Sequence, residues 1–214
     1  MSNERRILTG GDIRCMTAGK AMRISGMAAR YNSPTKISGA KGRFVERLMR
    51  GAFSRAINER QDVALLINHD MNRLMARVSS GTLRLHDSED GLAFDADLPD
   101  SEDARNAYAS IQRGDMHGCS FGFGECDSDW DMTEDPEDRT RKMARRTIRD
   151  IHQLMDVSPT TFPAYEETSV TARSIEQRSE IVVPDAFIVI PEPVVDSEAT
   201  RARRRRVLDI VARY

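Results

Sequence analysis

A serine hydroxyl attacks a carbonyl at neutral pH only if a base takes its proton, and the base works best when a third group fixes its tautomer. Three short segments of this chain each offer one of those parts. Residues 64–70 read Ala-Leu-Leu-Ile-Asn-His-Asp and bring His69; residues 118–123 read Gly-Cys-Ser-Phe-Gly-Phe and bring Ser120; residues 155–165 open on Met-Asp-Val-Ser-Pro and bring Asp156. Spacing alone does not join them, because such centres are assembled from distant segments and recognised by geometry.

Each residue also has a plainer use. In a strand, Cys119, Phe121 and Phe123 face one way while Ser120, Gly122 and Gly124 face the other. The glycines would bare that second face so that a substrate backbone comes close, or Ser120 is simply a small residue where two strands pack. Alternation buries Cys119 with the phenylalanines, as a small apolar residue rather than a nucleophile. His69 closes an apolar strand and is either a base or a strand-end cap; His86, in a turn, and His117 and His152, flanking the other segments, compete with it. Asp156 either orients an imidazole or caps a turn at Ser158–Pro159. A metal held by His69, Asp70 and Asp156 lacks the support of an H-E-x-x-H or paired Cys/His spacing, so neither metal nor cofactor is expected.

The positioning elements are mostly short strands. Residues 16–31 read as one or two strands around Gly26, with Met22, Ile24 and Tyr31 toward the core. Residues 33–43 read as a loop, and Phe44, Leu48, Phe53 and Ile57 have helical spacing. Strands follow over 61–68, 74–78, 82–85 and 92–98, each bounded by turn residues. A helix opens at Ser101, with Glu102 and Asp103 in its positive first turn, and stops at Gly114. Strands over 116–124 and 148–156, a Pro-bounded loop over 157–165 and a strand over 169–173 complete the pattern. Such spacing predicts a mainly β protein with flanking helices (α+β) whose strands form an antiparallel barrel or sandwich.

Eight acidic residues between 125 and 138 face six basic ones between 139 and 149. They predict either a solvated hairpin with mutually attracting arms or a charged flap. The domain limits follow: an extension over 1–15, one domain over 16–173 and a tail over 174–214. That tail ends in a basic amphipathic helix candidate with six arginines in residues 201–214, suited to an acidic partner or a solubilising end. Charged residues are 31% and apolar ones 39% of the 214, and the net charge of −2 gives no overall attraction to nucleic acid. No apolar run is long enough for a membrane span, and Met1 to Arg6 lacks a secretory leader. Three unpaired-looking cysteines fit a reducing cytoplasm.

Six blocks, in order, resemble the prohead (capsid-maturation) proteases of tailed phages, which share the herpesvirus assemblin fold. They are Ile-Ser-Gly-Met-Ala-Ala-Arg-Tyr-Asn (24–32), Arg-Gly-Ala-Phe (50–53), Leu-Ile-Asn-His-Asp (66–70), Asp-Gly-Leu-Ala-Phe-Asp-Ala (90–96), Gly-Cys-Ser-Phe-Gly-Phe (118–123) and Val-Ser-Pro-Thr-Thr-Phe-Pro-Ala-Tyr (157–165). The resemblance implies an assemblin-like barrel, Ser120 as nucleophile, His69 as base and Asp156 as third member. Assemblins use a second histidine there, which keeps His117 and His152 open. It further implies a serine endopeptidase acting in the host cytoplasm inside the immature capsid. Its partners would be the major capsid protein with its scaffold segment, the chain itself as a self-processing substrate, and a second copy in a homodimer. The competing reading is a catalytically silent assembly module that only binds scaffold.

Overall fold

The structure, a computed structural model, describes residues 4–8, 13–18, 21–39, 42–135, 138–161, Pro184 and Phe187. In chain order the elements are β1 (Glu4–Leu8), β2 (Ile13–Ala18), β3 (Ala21–Arg30), β4 (Thr35–Gly39), β5 (Gly42–Leu48), α1 (Ser54–Asn58), β6 (Ala64–Ile67) and β7 (Asp70–Arg77). They continue as β8 (Leu83–Asp87), β9 (Gly91–Asp97), α2 (Glu102–Arg113), β10 (Gly118–Phe123), β11 (Cys126–Glu134), β12 (Lys142–Ile151) and β13 (Leu154–Thr160). The protein is mainly β. The described strands run as three sheets, ordered β1-β10-β13-β6-β7, β11-β12-β5-β4 and β2-β3-β9-β8.

One apolar core joins these layers. Ile24, Phe53, Leu65, Ile67, Leu92, Phe94, Phe121, Phe123, Ile148 and Val157 are all essentially removed from water. Ala104, Ala107 and Ile111 lay α2 onto it. As expected, the Ser101 hydroxyl accepts from the Ala104 amide, and Gly114 closes the helix at φ 84°, a conformation that costs glycine no Cβ clash. No helix among the described residues is long and apolar enough to cross a membrane.

Several elements differ from the sequence expectation. Residues 33–43 are not a loop: they carry β4 and the start of β5, paired antiparallel. The helical spacing from Phe44 belongs to a strand up to Leu48, and the helix is confined to α1. Gly26 does not interrupt β3, where it pairs with Ile13 and Phe94, and His86 lies in β8 opposite Ala93 rather than in a turn. Residues 148–156 are two strands, parted at His152–Gln153, and the loop expected over 157–165 is strand up to Thr160, its part from 162 to 165 lying outside the described residues. Pro159 is tolerated there because β6 pairs only with Asp156 and Val157 and leaves the Pro159 nitrogen with no ladder position to fill.

Two pairings, β5 with β12 and β6 with β13, are parallel, so the sheets are not wholly antiparallel. The charged stretch is a β11–β12 hairpin whose arms are tied by Arg145 to Asp131 and Arg149 to Asp129. Its second arm is an interior strand of its sheet and gives Ile148 and Ile151 to the core. The strand expected over 169–173 and the basic helix of the tail lie outside the described residues.

Candidate active site

β10, β13 and the β6–β7 turn are the three parts that meet. Ser120 stands in β10 directly opposite Ser158 of β13, and Gly122 opposite Asp156. On the far edge of β13, β6 runs parallel, with Asp156 beside Ala64. β6 then turns into β7 through two residues, Asn68 and His69, between the paired Ile67 and Asp70. Both have positive φ, 53° and 59°, the requirement of the tight hairpin turn that matches strand twist. Asn and His are among the residues that enter this region at least cost.

The turn is stitched to the end of β13. The Asn68 amide donates to the Pro159 carbonyl at 3.0 Å. The Thr161 amide donates to Asn68 Oδ1 at 2.9 Å, and Asn68 Nδ2 donates to Thr161 Oγ1 at 3.2 Å. A ladder of only two residues between β6 and β13 would leave His69 poorly aimed; these bonds fix it.

His69 is thereby held between the other two residues. Its Nδ1 lies 2.6 Å from Asp156 Oδ2 and its Nε2 lies 2.6 Å from Ser120 Oγ. A carboxylate offers only acceptors, so Nδ1–H donates to Asp156 and the Nε2 lone pair accepts from the serine hydroxyl. That is the tautomer able to take the serine proton. All three residues are buried, Ser120 fully, His69 to 7% and Asp156 to 5% exposure. A carboxylate so placed must be compensated. His69 does so, and the Ser158 hydroxyl donates to the same oxygen, Asp156 Oδ2, at 2.7 Å.

Ser158 was missed in the sequence, although its signal was present. Residues i and i+2 of a strand share a face, so Asp156 and Ser158 had to point together. The glycines also have close neighbours that the sequence did not show. A Cβ on Gly122 would lie 2.3 Å from Asp156 Oδ1, and one on Gly124 would lie 2.9 Å from Gln153 Oε1. The missing side chains make room for Asp156 and Gln153. Gly122→Ala is therefore expected to push Asp156 off His69. The turnover number should fall about 100-fold, as for displacements near 1 Å at a reacting centre, and stability by about 1–3 kcal/mol. Steady-state kinetics beside a thermal melt reads both, and an alanine variant with parental turnover removes this account of Gly122.

Cys119 is fully buried on the opposite face of β10, and burial pushes its thiol up to about 12. The structure thus places it in the core, as its alternation with Phe121 implied. Phe121 packs edge-on against Phe53 at 5.3 Å and stacks on Phe123 at 5.5 Å, anchoring β10 from beneath. The other histidines are engaged elsewhere. His86 contacts Asp95 at 2.8 Å, His152 lies 3.1 Å from Asp127, and exposed His117 has Nδ1 3.3 Å from the Gly114 carbonyl. Asp70 accepts from the Asn72 amide and side chain and does not join His69 and Asp156 as a ligand set. Asp127, Asp150 and His152 bring one ligand atom each within 4.8 Å of one another, but Arg55 already binds Asp150.

A mainly β domain carrying this serine–histidine–carboxylate series has the make-up of a serine peptidase. Over residues 12–181 the sequence matches the caudovirus prohead serine proteases, and the chain belongs to that family. Among solved structures, the bacteriophage T4 capsid assembly protease, gp21, is similar with a TM-score of 0.42 and 13% identity, the match covering 75% of this chain and 99% of that one. No curated protein matches the chain.

Proposed function

We propose that this prohead serine protease cleaves scaffold or capsid-protein segments inside the immature capsid, and that it also processes itself. Ser120 attacks the scissile carbonyl; His69 accepts its proton and passes it to the leaving amine; Asp156 holds the imidazole and stabilises its charged form. In this reading residues 16–173 form the protease domain, an assemblin-like barrel, and residues 174–214 a tail that docks on scaffold or is removed. The observation that carries the assignment is the pair of 2.6 Å contacts by which His69 spans Asp156 and Ser120.

Co-expression with the phage's major capsid protein tests the whole reading in one mass spectrum. Expected are new termini in the scaffold segment of the capsid protein and in this chain, all missing when Ser120→Ala replaces the parent. Intact masses for both proteins in the parental sample overturn the proposal and favour a silent, scaffold-binding module.

A further inference from the structure

The strand that carries Ser120 has two backbone edges, and they are not equivalent. One edge is taken by β13, from Gly118 opposite Thr160 to Phe123 opposite Leu154. Beyond β13 lie β6 and the turn that delivers His69. The second edge faces away from the base and the acid. A peptide that is to offer its carbonyl to Ser120 has that side left to it, and extended peptides dock by adding a strand to such an edge. In this chain the position is filled. β1 pairs antiparallel with β10 along its length, from Glu4 opposite Phe123 to Leu8 opposite Cys119, with Ile7 opposite Ser120. Ser120 keeps no exposed surface.

Resting on the reading of Ser120 as nucleophile, we propose that residues 4–8 are a resident strand in the substrate-strand position, which holds the centre shut until an extended peptide displaces them. β1 is suited to leave. It is an edge strand of its sheet, and three of its five residues, Glu4, Arg5 and Arg6, are of charged type. An incoming strand replaces the same ladder bonds, so the exchange is nearly balanced in hydrogen bonding. What favours β1 is its tether, which gives it an effective concentration on the order of 1 mM. Dilute peptide then competes poorly, whereas substrate packed at comparable density opens the site.

The test uses the full-length chain with Arg6→Pro and Ile7→Pro made separately. Alternate residues of a strand aim their N–H at the same neighbour, so one of the two removes a ladder bond to β10. A fluorophosphonate probe should label Ser120 at least tenfold faster in that variant than in the parent, and a synthetic peptide of residues 2–10 at about 1 mM should slow it again. Folded proline variants that both label at the parental rate overturn the proposal while leaving the nucleophile in place. If no form is labelled, the nucleophile assignment falls instead. Hydrogen exchange on the Ser120→Ala background then decides the strand by itself. Amides of residues 119–123 must lose protection in a proline variant and regain it with the peptide; unchanged protection overturns the proposal.

Discussion

Ser120→Ala is expected to lower peptide cleavage by about 10⁴- to 10⁶-fold while the chain still unfolds cooperatively, within a few degrees of the parent. The size of the loss follows from what remains. With the hydroxyl gone, His69 Nε2 has no proton to take, and no neighbouring group replaces the nucleophile. Cys119, one residue away, lies on the other face of β10 with its thiol pushed up to about 12, so it supplies neither the geometry nor the thiolate. Stability changes little because losing the buried hydrogen bond to His69 costs about 1 kcal/mol net, and the lost atom leaves a void smaller than a water. Cleavage of a scaffold peptide, followed beside a thermal melt, reads both quantities. An alanine variant retaining more than about one hundredth of parental activity would end the role given to Ser120, since nucleophile removal elsewhere costs far more.

Residue type made the candidates of this centre visible, and the resemblance to the prohead proteases singled out three of them. A serine between glycines, a histidine ending an apolar strand and an acid before Val-Ser-Pro are each conspicuous, and the structure brings all three within hydrogen-bonding distance. Their supports were harder to see. Asn68 acts through a positive φ and through bonds to Thr161, 93 residues away, and neither leaves a periodic mark. Gly122 was noticed for the right property, a missing side chain, but the neighbour that needs the space is Asp156 on a strand whose register with β10 is a long-range fact.

The same division runs through the fold. α2 could be read to its ends because its cap, charges and stop are local. β5 could not. Phe44 and Leu48, four residues apart, fit the period of a helix as well as two steps along one strand face. What decides between them is β12, which pairs with β5 in parallel across about a hundred residues. The strand of β13 was ended at Asp156, with Val157 to Tyr165 read as a Pro-bounded loop, by a rule on proline that holds for central strands. Here the ladder to β6 has already ended, so the missing N–H costs nothing.

Asp156→Asn should leave substrate binding intact and lower the turnover number by about 10⁴-fold, a loss second only to that at Ser120. An asparagine at this place keeps the shape, but the Oδ2 position, which accepts from both the Ser158 hydroxyl and His69 Nδ1, must become either the amide oxygen or the amide nitrogen. As nitrogen it can present N–H to His69 Nδ1, which selects the tautomer with the proton on Nε2. The Ser120 hydroxyl then faces a donor and has nowhere to send its proton, and the imidazolium formed in catalysis loses its counter-charge. A structural role alone would lower stability and binding together, so the expected signature is a fall in kcat at nearly constant KM. His152→Ala and His117→Ala supply the contrast. His152 lies against Asp127, and His117 sits exposed beside the Gly114 carbonyl, so each should stay within about threefold of the parent. If His152→Ala or His117→Ala instead matches the loss while Asp156→Asn costs only a few-fold, the third member is a histidine that must move in from its present place.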